Sequence, residues 1–158
     1  MGKKVFHVLS FLVLIMGISL FAYGLYLHAE PVFTPPAADL NAVQGSPVVP
    51  TELGWSEISD ENMPYSFSVC GVCAPESGQI PVWFYNHPDS QALLVLAVYG
   101  TDGSEIGRSG FLKPGEYLEQ ISVSESLQVG DSVEYEIIGY SVDDYHSLGN
   151  VTLNTEVS

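Results

Sequence analysis

One pair of residues has the type and spacing to do chemistry, Cys70-Gly71-Val72-Cys73, and these are the only cysteines in the sequence. A C-x-x-C pair carries out thiol–disulfide exchange when it sits at the start of a helix, where the macrodipole lowers a thiol pKa. Here the pair ends a predicted strand, and Ala74-Pro75-Glu76-Ser77-Gly78 reads as a loop. The nearby Glu76 carboxylate would raise a thiol pKa rather than lower it. A structural zinc needs four ligands, and one C-x-x-C supplies two. His28, His87 and His146 each stand alone in the sequence, so they complete no such set. Cys70 and Cys73 are therefore expected as a disulfide closing a tight turn or as two reduced thiols. An envelope thiol–disulfide protein is the competing reading.

Other chemistry-bearing residues are weaker. Asp143 and Asp144 adjoin Tyr145-His146, but calcium needs six or more oxygens in a defined loop, and no D-x-D-x-D-G spacing is present. Adjacent carboxylates in a strand or turn diverge, so this is expected to be a solvated loop. Ser68 and Ser109 have no base and acid at a recognisable spacing, and no glycine-rich phosphate cradle exists. Asn150-Val151-Thr152 fits the glycosylation sequon. Tyr99, Tyr117, Tyr135, Tyr140 and Tyr145 recur near predicted strand ends. Their expected role is core lining with the hydroxyl at the rim, against an exposed aromatic strip for glycan or protein contact. No catalytic residue, metal or cofactor is expected, and the chain reads as a non-enzyme.

Charge narrows the partners. The formal net charge is −15, and all nineteen acidic residues lie at or beyond Glu30. Against them stand only Arg108 and Lys113, so that portion carries −17. Binding to nucleic acid or to anionic headgroups needs a Lys/Arg surface that this chain lacks.

What positions these residues is a chain in four parts. Residues 1–4 form a stub containing Lys3 and Lys4. Residues 5–27, VFHVLSFLVLIMGISLFAYGLYL, contain no charged residue, and a helix of that length spans the ~30 Å core of a bilayer. The basic start and the near absence of later basic residues orient the N-terminus to the cytoplasm and the remainder outside. A cleaved signal peptide is the alternative, giving a secreted binding module. The apolar run is longer than an ordinary signal core, and only partial cleavage sites exist near Gly24 and Ala29. Residues 28–64 hold six of the ten prolines with little apolar periodicity, which predicts a semi-rigid extracellular linker.

From 65 to 158 the pattern turns to short strands. They are expected at 65–72, 79–86, 92–99, 105–107, 116–123, 132–142 and 149–157. In 79–86, Ile80, Val82 and Phe84 fall on one side and Trp83 and Tyr85 on the other. Ala92–Tyr99 is apolar throughout, which predicts a central strand buried on both faces. Asp102-Gly103 predicts a type I′ hairpin. Six or seven strands at this spacing without an amphipathic helix make an all-β, two-sheet sandwich, with an immunoglobulin-like arrangement as the default.

Two stretches, 110–117 (GFLKPGEY) and 145–155 (YHSLGNVTLNT), with weaker contributions from Cys70-Gly71-Val72 and Tyr85-Asn86, carry a resemblance. Over residues 68–157 the chain resembles small uncharacterised surface proteins of Gram-positive bacteria that have one N-terminal anchor and one Ig-like sandwich. The resemblance implies that fold and a cell-surface location, and it brings no catalytic residue. The expected function is a non-enzymatic single-pass membrane protein displaying an acidic sandwich for protein or surface-polymer contact, or serving as an accessory subunit of an envelope assembly.

Overall fold

The computed structural model describes residues 34–60 and 63–158, together with Gly2, His7, 14–21 and Tyr23 of the N-terminal stretch. The chain divides into two compact units, Met1–Thr34 and Pro35–Ser158. In the first, residues 14–21 are α-helical with exposed apolar side chains, among them Leu14, Met16 and Phe21. Most of the expected span over 5–27 lies outside the described residues, as do most of 1–4 and all of 28–33. Among the described residues, no helix is long and apolar enough to cross a membrane.

The second unit is all-β. Its strands are β1 (Val43–Gln44), β2 (Trp55–Ile58), β3 (Phe67–Cys70), β4 (Gln79–Asn86) and β5 (Ala92–Tyr99). β6 (Glu105–Arg108), β7 (Glu116–Ser122), β8 (Ser132–Ser141) and β9 (Ser147–Glu156) follow. They form two antiparallel sheets, ordered β1-β7-β4-β3-β2 and β6-β5-β8-β9. Alternation drives the packing, because successive side chains of a strand point to opposite faces. Ile80, Val82 and Phe84 from β4 and Phe67 and Val69 from β3 turn inward to meet Leu94, Leu96, Tyr135 and Ile137 of the other sheet in one core. Phe67 and Phe84 pack edge to face, centroids 6.1 Å apart. Gly139 is required where it stands, since a Cβ there would run into the Tyr65 ring.

β5 is buried from Ala92 to Val98 and lies between β6 and β8, the central strand expected of an uninterrupted apolar run. The hairpin after it differs in detail. Only Gly103 takes a positive φ, +78°, while the Asp102 carboxylate accepts a hydrogen bond from the Ser104 amide at 2.8 Å. This is a longer loop ending on a left-handed glycine, not a type I′ turn.

The expected linker over 28–64 needs correction, because from Pro35 onward the chain belongs to the sandwich unit. Val43 and Gln44 pair with Tyr117 and Glu116, and Trp55–Ile58 pair with Cys70–Phe67. The Asp39 carboxylate accepts the Gly110 amide at 2.8 Å. These short strands lie at sheet edges, where the surrounding prolines have no ladder bond to interrupt. They bring the five-stranded sheet two members that the sequence pattern conceals.

A buried amide joins the layers. Asn86, at the end of β4, donates from Nδ2 to the Ala92 carbonyl at 2.9 Å and to the Leu112 carbonyl at 3.0 Å. Leu112 in turn exchanges both backbone hydrogen bonds with Leu94 of β5.

Candidate functional site

The outward face of the five-stranded sheet carries the most distinctive side chains of the molecule. The register sets Trp55 beside Cys70, Ser68 beside Tyr85, and Tyr85 beside Tyr117, all on the side away from the core. Between Pro81 and Phe84, β4 advances one residue more than β7, a bulge that places Trp83 at φ +41°. A bulge re-aims a side chain. Here it lays the Trp83 ring along Tyr117, centroids 6.2 Å apart and planes 16° from parallel. Across the sheet, Trp55 stacks on Tyr85 at 6.5 Å, and Tyr85 approaches the His87 ring at 4.8 Å. The Trp55 indole N–H donates to the Trp83 carbonyl at 2.8 Å, tying the two stacks together. Trp55 remains 37 % exposed, whereas Tyr85 beneath it is only 7 % exposed.

Polar groups around this surface are anionic or neutral. No strand of this sheet contains lysine or arginine, while Glu57 and Glu119 stand exposed on β2 and β7. His87 Nε2 lies 2.8 Å from the Ser68 hydroxyl. A serine and a base nineteen residues apart are thus brought together, which spacing alone did not indicate. Ser68 is wholly buried, so a substrate carbonyl has no approach to it. The dyad holds the imidazole edge against the sheet.

Cys70 and Cys73 are both free and buried in this structure. Cys70 shares the outer register with Trp55, while Cys73 lies in the core cluster. Burial raises the Cys70 thiol to about 11. Burial also raises Cys73, with a smaller opposing effect from the Tyr135 hydroxyl. Burial thus disfavours the thiolate form on which exchange chemistry depends.

The remaining sequence candidates are dispersed. The Ser109 hydroxyl accepts the Leu96 amide at 2.9 Å within the fold. Asp144 pairs with His146 at 2.6 Å on an exposed turn, and that hydrogen bond lowers its carboxyl to about 2. Tyr135 is buried in the core, and Tyr99 donates to Glu136 at 2.9 Å. Among the described residues, no group of three histidine, cysteine or acidic side chains could hold a metal ion.

Comparison with protein-family models, with curated proteins and with solved structures finds no match. The reading of function thus rests on the chemistry of the aromatic face. Of the tyrosines singled out in the sequence, only Tyr117 belongs to it. Trp55 was hidden in the expected linker, and Trp83 gave as signal only its place opposite the inward set of β4.

Proposed function

We propose that this chain is a non-enzymatic, single-pass membrane protein that displays an acidic β-sandwich at the cell surface. Its aromatic face contacts a surface polymer or a protein there. The observation that carries this reading is the tethered pair of ring stacks, Trp55–Tyr85 and Trp83–Tyr117, on a sheet face without a cationic side chain. Large rings held rigidly lose little conformational entropy on contact and supply apolar area that water wets poorly. The anchor is supported by the uncharged run 5–27 behind Lys3 and Lys4. An immunoglobulin-like fold is supported by connectivity, since β4 lies between β3 and β7 and β8 between β5 and β9, the neighbours such sandwiches have.

The test is binding of the full-length protein in detergent to isolated cell-envelope material. Trp55→Ala combined with Trp83→Ala is expected to weaken binding about ten-fold or more while circular dichroism stays unchanged. Binding undiminished in the folded double variant would remove the aromatic face from consideration.

A further inference from the structure

β9 runs for ten residues and, among the described residues, has a neighbour on one side only. No strand pairs with its other side, where the Thr155 hydroxyl donates to the Gly71 carbonyl near one end and the Gly149 carbonyl accepts from the Tyr65 hydroxyl near the other. Natural sheets blunt such an edge with lysine, proline, short length or a bulge that twists it away. β9 contains no lysine, arginine or proline, and its register shift lies near its start. From Asn150 to Glu156 it pairs residue by residue with β8, and its one charged side chain is Glu156. The other edges are defended: β1 has two residues, β2 carries Glu57, and β6 carries Glu105 and Arg108.

A second observation lies behind the strand. Val151, Leu153 and Thr155 face inward, opposite Ile137, Tyr135 and Val133. Val151 and Leu153 pack on the core yet are only half-buried. Beside them a crevice of about 200 Å³ opens between β9 and β2, lined by Ile58, Val69, Tyr135, Leu153 and Thr155 among others. Tyr135 is 1 % exposed there. The sandwich is incomplete along this side.

We infer that the missing strand is β9 of a second copy of this chain, antiparallel about a two-fold axis at Thr152. The sequence of β9 is complementary to itself in that register. Val151 meets the partner's Leu153 on the inner face, Asn150 meets the partner's Asn154 on the outer face, and Thr152 meets the partner's Thr152. Apolar, amide and hydroxyl side chains each find their own kind, and cross-strand Thr–Thr pairs hydrogen-bond. A slip of one residue would set the apolar row against the polar one. The two Glu156 side chains stand at opposite ends of the ladder. Glu134 and Glu136 lie one strand back, so the two copies' sets are separated by about 14 Å, beyond the Debye length of ~8 Å at physiological salt. The pairing is closed, because it uses the same edge of both copies and leaves none to continue a fibre.

Directly opposite residues of an antiparallel pair have Cα atoms about 4.5–5.5 Å apart, within disulfide range. Full-length Thr152→Cys protein in membranes is therefore expected to form a reducible dimer on mild oxidation, and the buried Cys70 and Cys73 do not compete. Asn150→Cys alone should stay monomeric, whereas a mixture of Asn150→Cys and Asn154→Cys chains should cross-link. Thr152→Lys, exposed and placed against its own copy, should weaken the dimer about five-fold or more by sedimentation in detergent. Absence of a Thr152→Cys dimer, equal cross-linking of Thr101→Cys at the distant hairpin tip, or preferential self-linking of Asn150→Cys would each overturn the inference. The Trp55→Ala, Trp83→Ala variant should dimerise normally, so the aromatic face and the β9 edge stand or fall separately.

Discussion

On the outer face of the five-stranded sheet Trp55, Tyr85, Trp83 and Tyr117 lie ring against ring, whereas the four-stranded sheet turns Tyr99, Glu134, Glu136, Asn150 and Thr152 outward. Both faces arise from the same alternation of strand residues. On the second, the polar groups satisfy one another: Glu136 accepts from Tyr99 and from Asn150, and Arg108 binds Glu105 at 2.6 Å. Leu93, Val95 and Ala97 share that face but are buried. On the first face stacked rings cover each other only in part, and Trp55 stays exposed. The two faces thus differ in kind, although both belong to one acidic domain.

If the rings also serve as packing, truncating one should cost far more than altering the polar network opposite. Tyr85→Ala removes a ring that touches both Trp55 and His87, and is expected to lower stability by about 3 kcal/mol in urea unfolding. Glu136→Gln should cost below about 1 kcal/mol in the same assay. Equal losses would erase the contrast.

A finer test exploits the bulge. Trp83 holds a backbone conformation that glycine adopts freely and alanine does not. Trp83→Gly is expected to be more stable than Trp83→Ala by about 1 kcal/mol, the reverse of the usual order within a strand. Alanine proving the more stable would show that the bulge relaxes once the indole is gone.

The smallest effect belongs to the polar face. The Arg108 guanidinium holds the Glu105 carboxyl below its ordinary value of 4.5. Because the folded pKa is depressed, this stabilisation is present above about pH 4.5 and is lost as pH falls through the lower, folded value. Arg108→Ala should cost about 0.5 kcal/mol or less at pH 7, and the difference from wild type should vanish in acid. A difference that persists at low pH would assign the loss to the packing of the arginine stem.

Much of the architecture was legible because period-two alternation is a local signal. β4 and β5 run over the residues their apolar patterns mark, and the seven strands from Phe67 onward follow the expected order. The edge strands β1 and β2 were not legible. Two and four residues are too short to show a period, and what holds them is backbone pairing to β7 and β3, far away in sequence. The aromatic face was half legible. Trp83 and Tyr85 were placed opposite the core set, but the bulge that turns Trp83 onto Tyr117 depends on a register between strands that no single strand encodes. The Ser68–His87 bond and the separation of Cys70 from Cys73 are likewise tertiary facts.

Asn86 has a consequence for how the rings are presented. With its amide bonded to both Ala92 and Leu112, the two layers cannot slide without stranding buried carbonyls. The aromatic face therefore keeps a fixed orientation relative to the β9 edge of the opposite layer. A two-fold axis perpendicular to the sheet at Thr152 would leave both ring faces pointing the same way, at a constant spacing. A repetitive polymer would then meet two sites at once, and the second engagement would proceed at the high effective concentration of a tethered ligand. Weak stacking at each face would add up to a long-lived grip through valency, with no new contact required.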